Sequence, residues 1–338
     1  MATIAAANAL KRHLGEHLDW HGARLMFLAQ FLLALFEVKT VNLAQVATAL
    51  SGRAEIASNY KRLQRFFRHF TIDQASIARL VIHCLPVGER WYLSLDRTNW
   101  QFGKTEINIL VLGVVYQGTA FPLFWHVLGK AGNSNAQERI ALMNRYLDTF
   151  SSNSIQALLA DREFIGKVWL SYLHQQSIPF RMRLKANLKI TNHHGVQIPL
   201  RRLFPNGEIN QFRCLEGQRF LGGVPVFISG CWLDNDETLF IASNAEPETA
   251  LDDYAKRWGI ETLFGSLKTR GFGFEDTHLR DPDRISKLVA LLTIAFAWAH
   301  RTGEWRNEIK PIPIKRFKKK LAGRSTRSSA TVSISSAS

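Results

Sequence analysis

From residue 91 to residue 184 the hydrophobic pattern switches repeatedly between the two-residue period of a strand and the 3.6-residue period of a helix. This order restricts the fold more than any other feature of the chain. Residues 91–95, 107–116 and 120–127 read as strands, and Tyr116-Gln-Gly118-Thr between the second and third reads as a hairpin turn. A helix over 137–150, a short apolar strand over 157–160, a helix over 164–176 and a strand over 179–184 follow. Three strands, helix, strand, helix, strand predict an α/β sheet whose first strands are antiparallel.

The flanking regions have different textures. Residues 1–85 carry Ala, Leu, Arg and Phe at helical spacing, with hardly a β-branched run, and predict a wholly helical domain. The apolar run at 25–36 is interrupted by Gln30 and is too short to cross a bilayer, so it reads as a core helix. Near residue 50 a helix, a Ser51-Gly52 break and a second helix follow one another. The second carries Arg53, Lys61, Arg62, Arg65 and Arg68 interleaved with Tyr60, Phe66, Phe67 and Phe70. Two readings fit this segment: a helix-turn-helix nucleic-acid reader, or the charged solvated face of an ordinary bundle.

After the sheet region of residues 86–186 the helical period disappears. Gly195, Gly207, Gly217, Gly222-Gly223 and Gly230 separate short apolar runs, so 187–245 reads as a β-rich insertion. Residues 246–305 return to helix, and 306–338 form a basic tail that includes Lys315, Arg316, Lys318 and Arg324.

Charge narrows the partner. Forty-three Lys and Arg against 28 Asp and Glu leave a formal charge of +15, with a pI near 10.0. That excess favours a polyanionic partner, most simply nucleic acid, and tips the helical hairpin towards DNA. Three cysteines without CxxC spacing predict neither a disulfide framework nor a cysteine-built zinc site, which fits a reducing, cytoplasmic setting.

Near residue 260 one helix gathers unusual chemistry. At about 100° per residue, Tyr254, Arg257, Glu261 and Lys268 fall on one side, and Ile260, Leu263, Phe264 and Leu267 form the neighbouring apolar stripe. A carboxylate among cations suits a metal ligand held beside a polyanion. Two further acids follow apolar strands: Asp96 after Trp91-Tyr-Leu-Ser-Leu95, and Asp161 after Ala157-Leu-Leu-Ala160. Strand ends are where α/β folds gather ligands, although Asp161 also suits a helix N-cap and Asp96-Arg97-Thr98-Asn99 a turn. Glu163 reads as a first-turn helix acid. His193-His194 reads as a loop, because adjacent strand residues face opposite ways.

The combination Ser-Leu-Asp96-Arg-Thr, Leu-Ala-Asp161-Arg-Glu-Phe and Tyr254-x2-Arg257-x3-Glu261-x6-Lys268 closely resembles the bacterial insertion-sequence transposases of the DDE class, in the YREK-signature group of the insertion sequence 4 family. The resemblance runs from about Trp91 to Lys268. It implies a ribonuclease-H-like mixed-sheet catalytic core with a β-rich insertion, beside a helical N-terminal DNA-binding domain. It further implies that Asp96, Asp161 and Glu261 are catalytic and hold two Mg²⁺ ions, with Mn²⁺ substituting. Arg257, Lys268 and Tyr254 would contact DNA phosphates, Arg62 and Arg65 would contribute to DNA binding, and Trp232 would either stack on a flipped base or fill a strand core. The implied partners are transposon terminal inverted repeats, target DNA and a second copy of the chain, a homodimer on paired ends. The implied reaction is cut-and-paste strand transfer. A non-catalytic, domesticated DNA-binding protein and a related nuclease are the alternatives.

Overall fold

The computed structural model of the protein describes residues 2–52, 54–191, 194–204, 211–233 and 237–311. Arg53, His193 and the basic residues beyond 311 lie outside the described residues.

Five helices come first: α1 (Ala2–Gly15), α2 (Gly22–Val38), α3 (Leu43–Ala49), α4 (Ile56–His69) and α5 (Gln74–Cys84). Capping chemistry sets two of the starts. The Asn42 side chain accepts from Ala44 N ahead of α3, and that of Asp73 accepts from Ala75 N and Ser76 N ahead of α5. The apolar run of α2 is buried at Leu28, Phe31, Leu32 and Leu35, as a core helix should be.

The sheet opens with an antiparallel meander of β1 (Trp91–Phe102), β2 (Thr105–Tyr116) and β3 (Thr119–Val127). Gln117 (φ 45°) and Gly118 (φ 76°) form the second tip, supplying the two positive-φ residues that a tight hairpin needs. Helix α6 (Ala136–Thr149) leads to β4 (Ile155–Ala160), which pairs parallel to β1. Helix α7 (Lys167–Gln175) leads to β5 (Phe180–Leu184), parallel to β4. The order β3-β2-β1-β4-β5 is a mixed five-stranded core that fits the ribonuclease-H-like architecture. Asp96-Arg97-Thr98-Asn99, which the sequence allowed as a turn, is instead the continuation of β1, paired with β2 from Leu93↔Val114 to Phe102↔Thr105.

The glycine-punctuated segment is β-rich, as its spacing predicts. It contains β6 (Lys189–Thr191), β7 (Gln197–Pro199), the single turn α8 (Leu200–Leu203), β8 (Arg213–Cys214), β9 (Arg219–Leu221), β10 (Val224–Trp232) and β11 (Thr238–Ser243). Its last strand returns to the core, because β11 pairs antiparallel with β5 and carries β10 and β9 outward from that edge.

Three α-helices come last among the described residues: α9 (Ala250–Ala255), α10 (Trp258–Leu267) and α11 (Pro282–Ile309). The one helix expected near residue 260, carrying Tyr254 to Lys268, is therefore two, and α10 ends at Leu267. Between them the bonds tighten to i→i−3, with Lys256 N on Asp253 O, Arg257 N on Tyr254 O, Gly259 N on Lys256 O and Ile260 N on Arg257 O. Just beyond this joint the helix meets the sheet. A Cβ at Gly259 would lie 2.9 Å from the carbonyl carbon of Thr119, so only glycine lets α10 seat on β3. Ile260, Leu263 and Leu267 are buried beneath it, and Phe264 is half-buried against the same core.

One continuous apolar cluster joins Phe31, Phe67 and Val81 of the N-terminal helices to Leu93, Leu112 and Phe121 of the sheet and Leu292 of α11. Polar ties cross the same junction. Lys287 donates to Phe67 O at 3.1 Å, and the Gln74 amide donates to Trp125 O at 3.3 Å and accepts from Trp125 N at 3.3 Å.

Replacing Gly259 by Ala should lower the thermal midpoint, because overpacking against a backbone that cannot yield costs roughly 1–3 kcal/mol. Differential scanning calorimetry would show it. An unchanged midpoint would mean that α10 does not depend on its close seat on β3.

Candidate active site

The site starts from strand register. β1 and β4 pair in parallel through Leu95↔Ala160, and the next residue on each chain is an aspartate. Asp96 and Asp161 thus emerge from neighbouring strands at the same level of the sheet, about one strand spacing apart. Asp96 stays within β1, opposite Val111, whereas Asp161 leaves β4 and caps a 3-10 turn over Arg162–Phe164, accepting from Arg162 N at 2.7 Å.

Helices α9 and α10 bring the third acid. Arg257, at the joint between them and only 4% exposed, donates from Nη1 to Asp96 Oδ2 at 3.3 Å and from Nη2 to Glu261 Oε1 at 2.7 Å. The buried Tyr254 hydroxyl lies 3.5 Å from Asp161 Oδ1. One guanidinium therefore bridges two of the carboxylates and occupies the space between them, while one phenol lies against the third. Among the described residues the three acids do not form a cluster with all ligand atoms within 4.8 Å. Burial pushes the Asp96 carboxyl up to about 6. The Arg97 amide and Arg257 pull it down, and Glu163 and Asp161 push it further up. Burial likewise raises the Tyr254 phenol to about 12, so it remains a hydrogen-bond donor.

The donor set is three carboxylates that share a patch with one another and with a buried cation. Hard oxygen donors of this kind fit a divalent cation such as Mg²⁺ rather than a soft metal.

Residues 89–298, more than half of the chain, match the family model for the transposase DDE domain. The chain belongs to this transposase family. No curated protein matches it. A solved structure of the piggyBac transposase synaptic complex with hairpin DNA aligns over 85% of this chain and 68% of its own, at 12% identity and a TM-score of 0.45. The crystal structure of endonuclease V from Bacillus subtilis aligns over 74% of this chain and 96% of its own, at 10% identity and a TM-score of 0.28. The family assignment rests on neither.

The remaining predicted residues are distributed unevenly. Lys268, at the end of α10, donates to Asn99 O at 3.1 Å and pairs with Glu275 at 2.8 Å, so it ties α10 to β1 beyond the acids. Trp232 is buried on β10 opposite Thr238, with the Arg201 guanidinium 5.5 Å from its ring centroid. It stands three strands from β4, at about 4.8 Å per strand. In α4, Arg62 is half-buried with its guanidinium 5.1 Å from the Phe27 ring centroid, and Arg65 is exposed with Nε on Lys61 O at 3.4 Å. Glu163 sits in the first turn after Asp161, as read from the sequence, and Arg97 holds it at 3.2 Å.

Two supports were missed. Arg97 also donates to Asn108 and Asn133, each at 3.0 Å, which locks the strand beside Asp96. Beneath Tyr254, Asp253 accepts from Arg181 Nε at 3.2 Å, Lys256 Nζ at 2.8 Å, Thr249 Oγ1 at 2.9 Å and the Tyr92 hydroxyl, fixing α9 to β1 and β5. Arg181 is fully buried, and an arginine inside the apolar run Phe180-Arg-Met-Arg-Leu184 was the available signal that a buried acid must face it.

The raised Asp96 pKa has a measurable consequence in chelator. The ordinary carboxyl value is 3.8, and the folded value is about 6. As pH rises between these values the unfolded chain releases its proton first, so the folded state loses stability, and the loss levels off above about 6. Thermal melts from pH 4 to 7 should show this declining component in the wild type, and its absence in Asp96→Asn. Parallel curves would contradict the burial assigned to Asp96.

Proposed function

We propose that the protein is an active DNA transposase of the YREK group in the insertion sequence 4 family, cutting transposon ends and joining their 3′-hydroxyls to target DNA. The observation that carries this reading is the convergence of Asp96 and Asp161, side by side on parallel strands, with Glu261, which reaches Asp96 through Arg257. The match to the transposase DDE domain, two aspartates at one level of the sheet with Glu261 bridged to one of them by Arg257, and a chain of charge +15 all support it.

In this reading Asp96, Asp161 and Glu261 hold two Mg²⁺ ions, for which Mn²⁺ substitutes. Such ions, when bound, activate the attacking water or 3′-hydroxyl and stabilise the departing oxygen. The chain's own residues then position and neutralise. Arg257 holds Asp96 and Glu261 in place until cations enter, and then turns its charge to a DNA phosphate. Tyr254, protonated at neutral pH, donates to an oxygen at the Asp161 side. DNA phosphate competes with Glu275 for Lys268, the cation at the outer end of α10. The helices up to α5 form the DNA-binding part, with the exposed Arg65 the more accessible of the two α4 arginines named above. The substrates are terminal inverted repeats and target DNA, and two copies of the chain bring paired ends together.

The test is Mg²⁺-dependent cleavage of a DNA carrying the element's inverted repeats. Asp96→Ala, Asp161→Ala and Glu261→Ala should each lose at least about a thousandfold in rate, roughly 4 kcal/mol of transition-state stabilisation, while retaining DNA binding in gel shift. Wild-type cleavage by all three variants would remove the acids from the chemistry.

A further inference from the structure

The helical region carries a second set of metal-ligating side chains, different in kind from the three acids. At the end of α1 the chain reads His13-Leu-Gly-Glu16-His17. The ligand atoms of His13, Glu16 and His17 lie within 4.8 Å of one another, and no other group of His, Cys, Asp or Glu among the described residues meets that distance. His13 Nδ1 is 3.4 Å from Glu16 Oε2. His83, in the last turn of α5, stands with its ring centroid 4.2 Å from that of His17.

Three physical features favour a cation here. Two histidines four residues apart at a helix end present their imidazoles to one point, the spacing used by helical metal sites. The cluster also lies at the carboxyl-terminal ends of both α1 and α5, where backbone carbonyls concentrate negative potential. Finally, His17 Nε2 is buried without any hydrogen-bond partner, an unsatisfied ring nitrogen inside a group of ligands.

We infer that His13, Glu16 and His17, joined by His83, bind one transition-metal ion of the zinc class and so tie α1 to α5. Imidazole with one carboxylate suits Zn²⁺, Co²⁺ or Ni²⁺, whereas Mg²⁺ prefers all-oxygen ligands, so this site and the acids on the sheet take different ions. His83, exposed at the end of α5 with its ring beside that of His17, supplies the fourth ligand. None of this depends on the transposase reading.

The test uses the tag-free full chain in excess Mg²⁺, which keeps the three acids from contributing, titrated with Co²⁺ and Zn²⁺. One Co²⁺ per chain should bind with the visible absorption of nitrogen ligation, and Zn²⁺ should raise the thermal midpoint. Glu16→Gln should weaken Zn²⁺ binding by roughly tenfold or more. The double variant His13→Gln with His83→Gln, at two exposed positions, should abolish both signals while keeping the wild-type circular dichroism. Failure of the wild type to bind, or wild-type affinity in the folded double variant, would overturn the site.

Discussion

The parallel pairing of β1 with β4 is the constraint on which the site depends. Side chains cannot be moved along a strand independently, so the register Leu95↔Ala160 commits the next residues, Asp96 and Asp161, to the same level of the sheet. A slip of one residue would turn one aspartate to the opposite face. The register is protected by burial on both sides, with Leu93, Leu95, Leu158 and Ala160 all almost fully inaccessible. The α6 crossover places β4 beside β1, and the hairpins of β1–β3 hold the other edge of β1.

Two buried arginines then connect the helical layer to that register. Arg257 bridges Asp96 on β1 and Glu261 on α10, and Arg181 of β5 meets Asp253 of α9. Buried charges of this kind are stable only when partnered, and removing one member of such a pair typically costs roughly 3–5 kcal/mol. The Arg181–Asp253 contact anchors α9 just below Tyr254, while the Gly259 seat on β3 sets where α10 begins. Between these two anchors the backbone tightens into the 3-10 joint that aims Arg257 at the acids. The break expected from no periodicity argument is thus what orients the central cation.

Hydrophobic period and turn chemistry made the sheet core legible: the three-strand opening, the Gln117-Gly118 hairpin and the helix–strand alternation all follow from residue type. The β-rich texture of the glycine-spaced segment was equally readable, because its short apolar runs are punctuated at their ends by glycine. Asp96 was placed too near a strand end, since Asp-Arg-Thr-Asn is turn-like in isolation. Only the side chains of Glu163, Asn108 and Asn133 show how polar Arg97 is accommodated within a continuous strand. The helix near residue 260, read as one piece, is divided for a similar reason. The amphipathic stripe from Ile260 to Leu267 is real, but the joint before it is set by contact with Thr119, more than a hundred residues away in sequence. The spacing of Tyr254, Arg257 and Glu261 survives this break. It does so because a single tightened turn shifts the residues around the axis without carrying them to the other side.

The proposed chemistry stands on Asp96 within β1, Asp161 just past the end of β4 and Glu261 on α10 holding divalent cations together, where Arg257 lies between Asp96 and Glu261 in this structure. Diffraction from crystals soaked in Mn²⁺, with the anomalous signal used to locate the ion, tests this most directly. The account predicts anomalous density among these three carboxylates and displacement of the Arg257 guanidinium from the Asp96–Glu261 gap. Strong Mn²⁺ density confined to other parts of the molecule, with Arg257 still bridging the two acids, would contradict it.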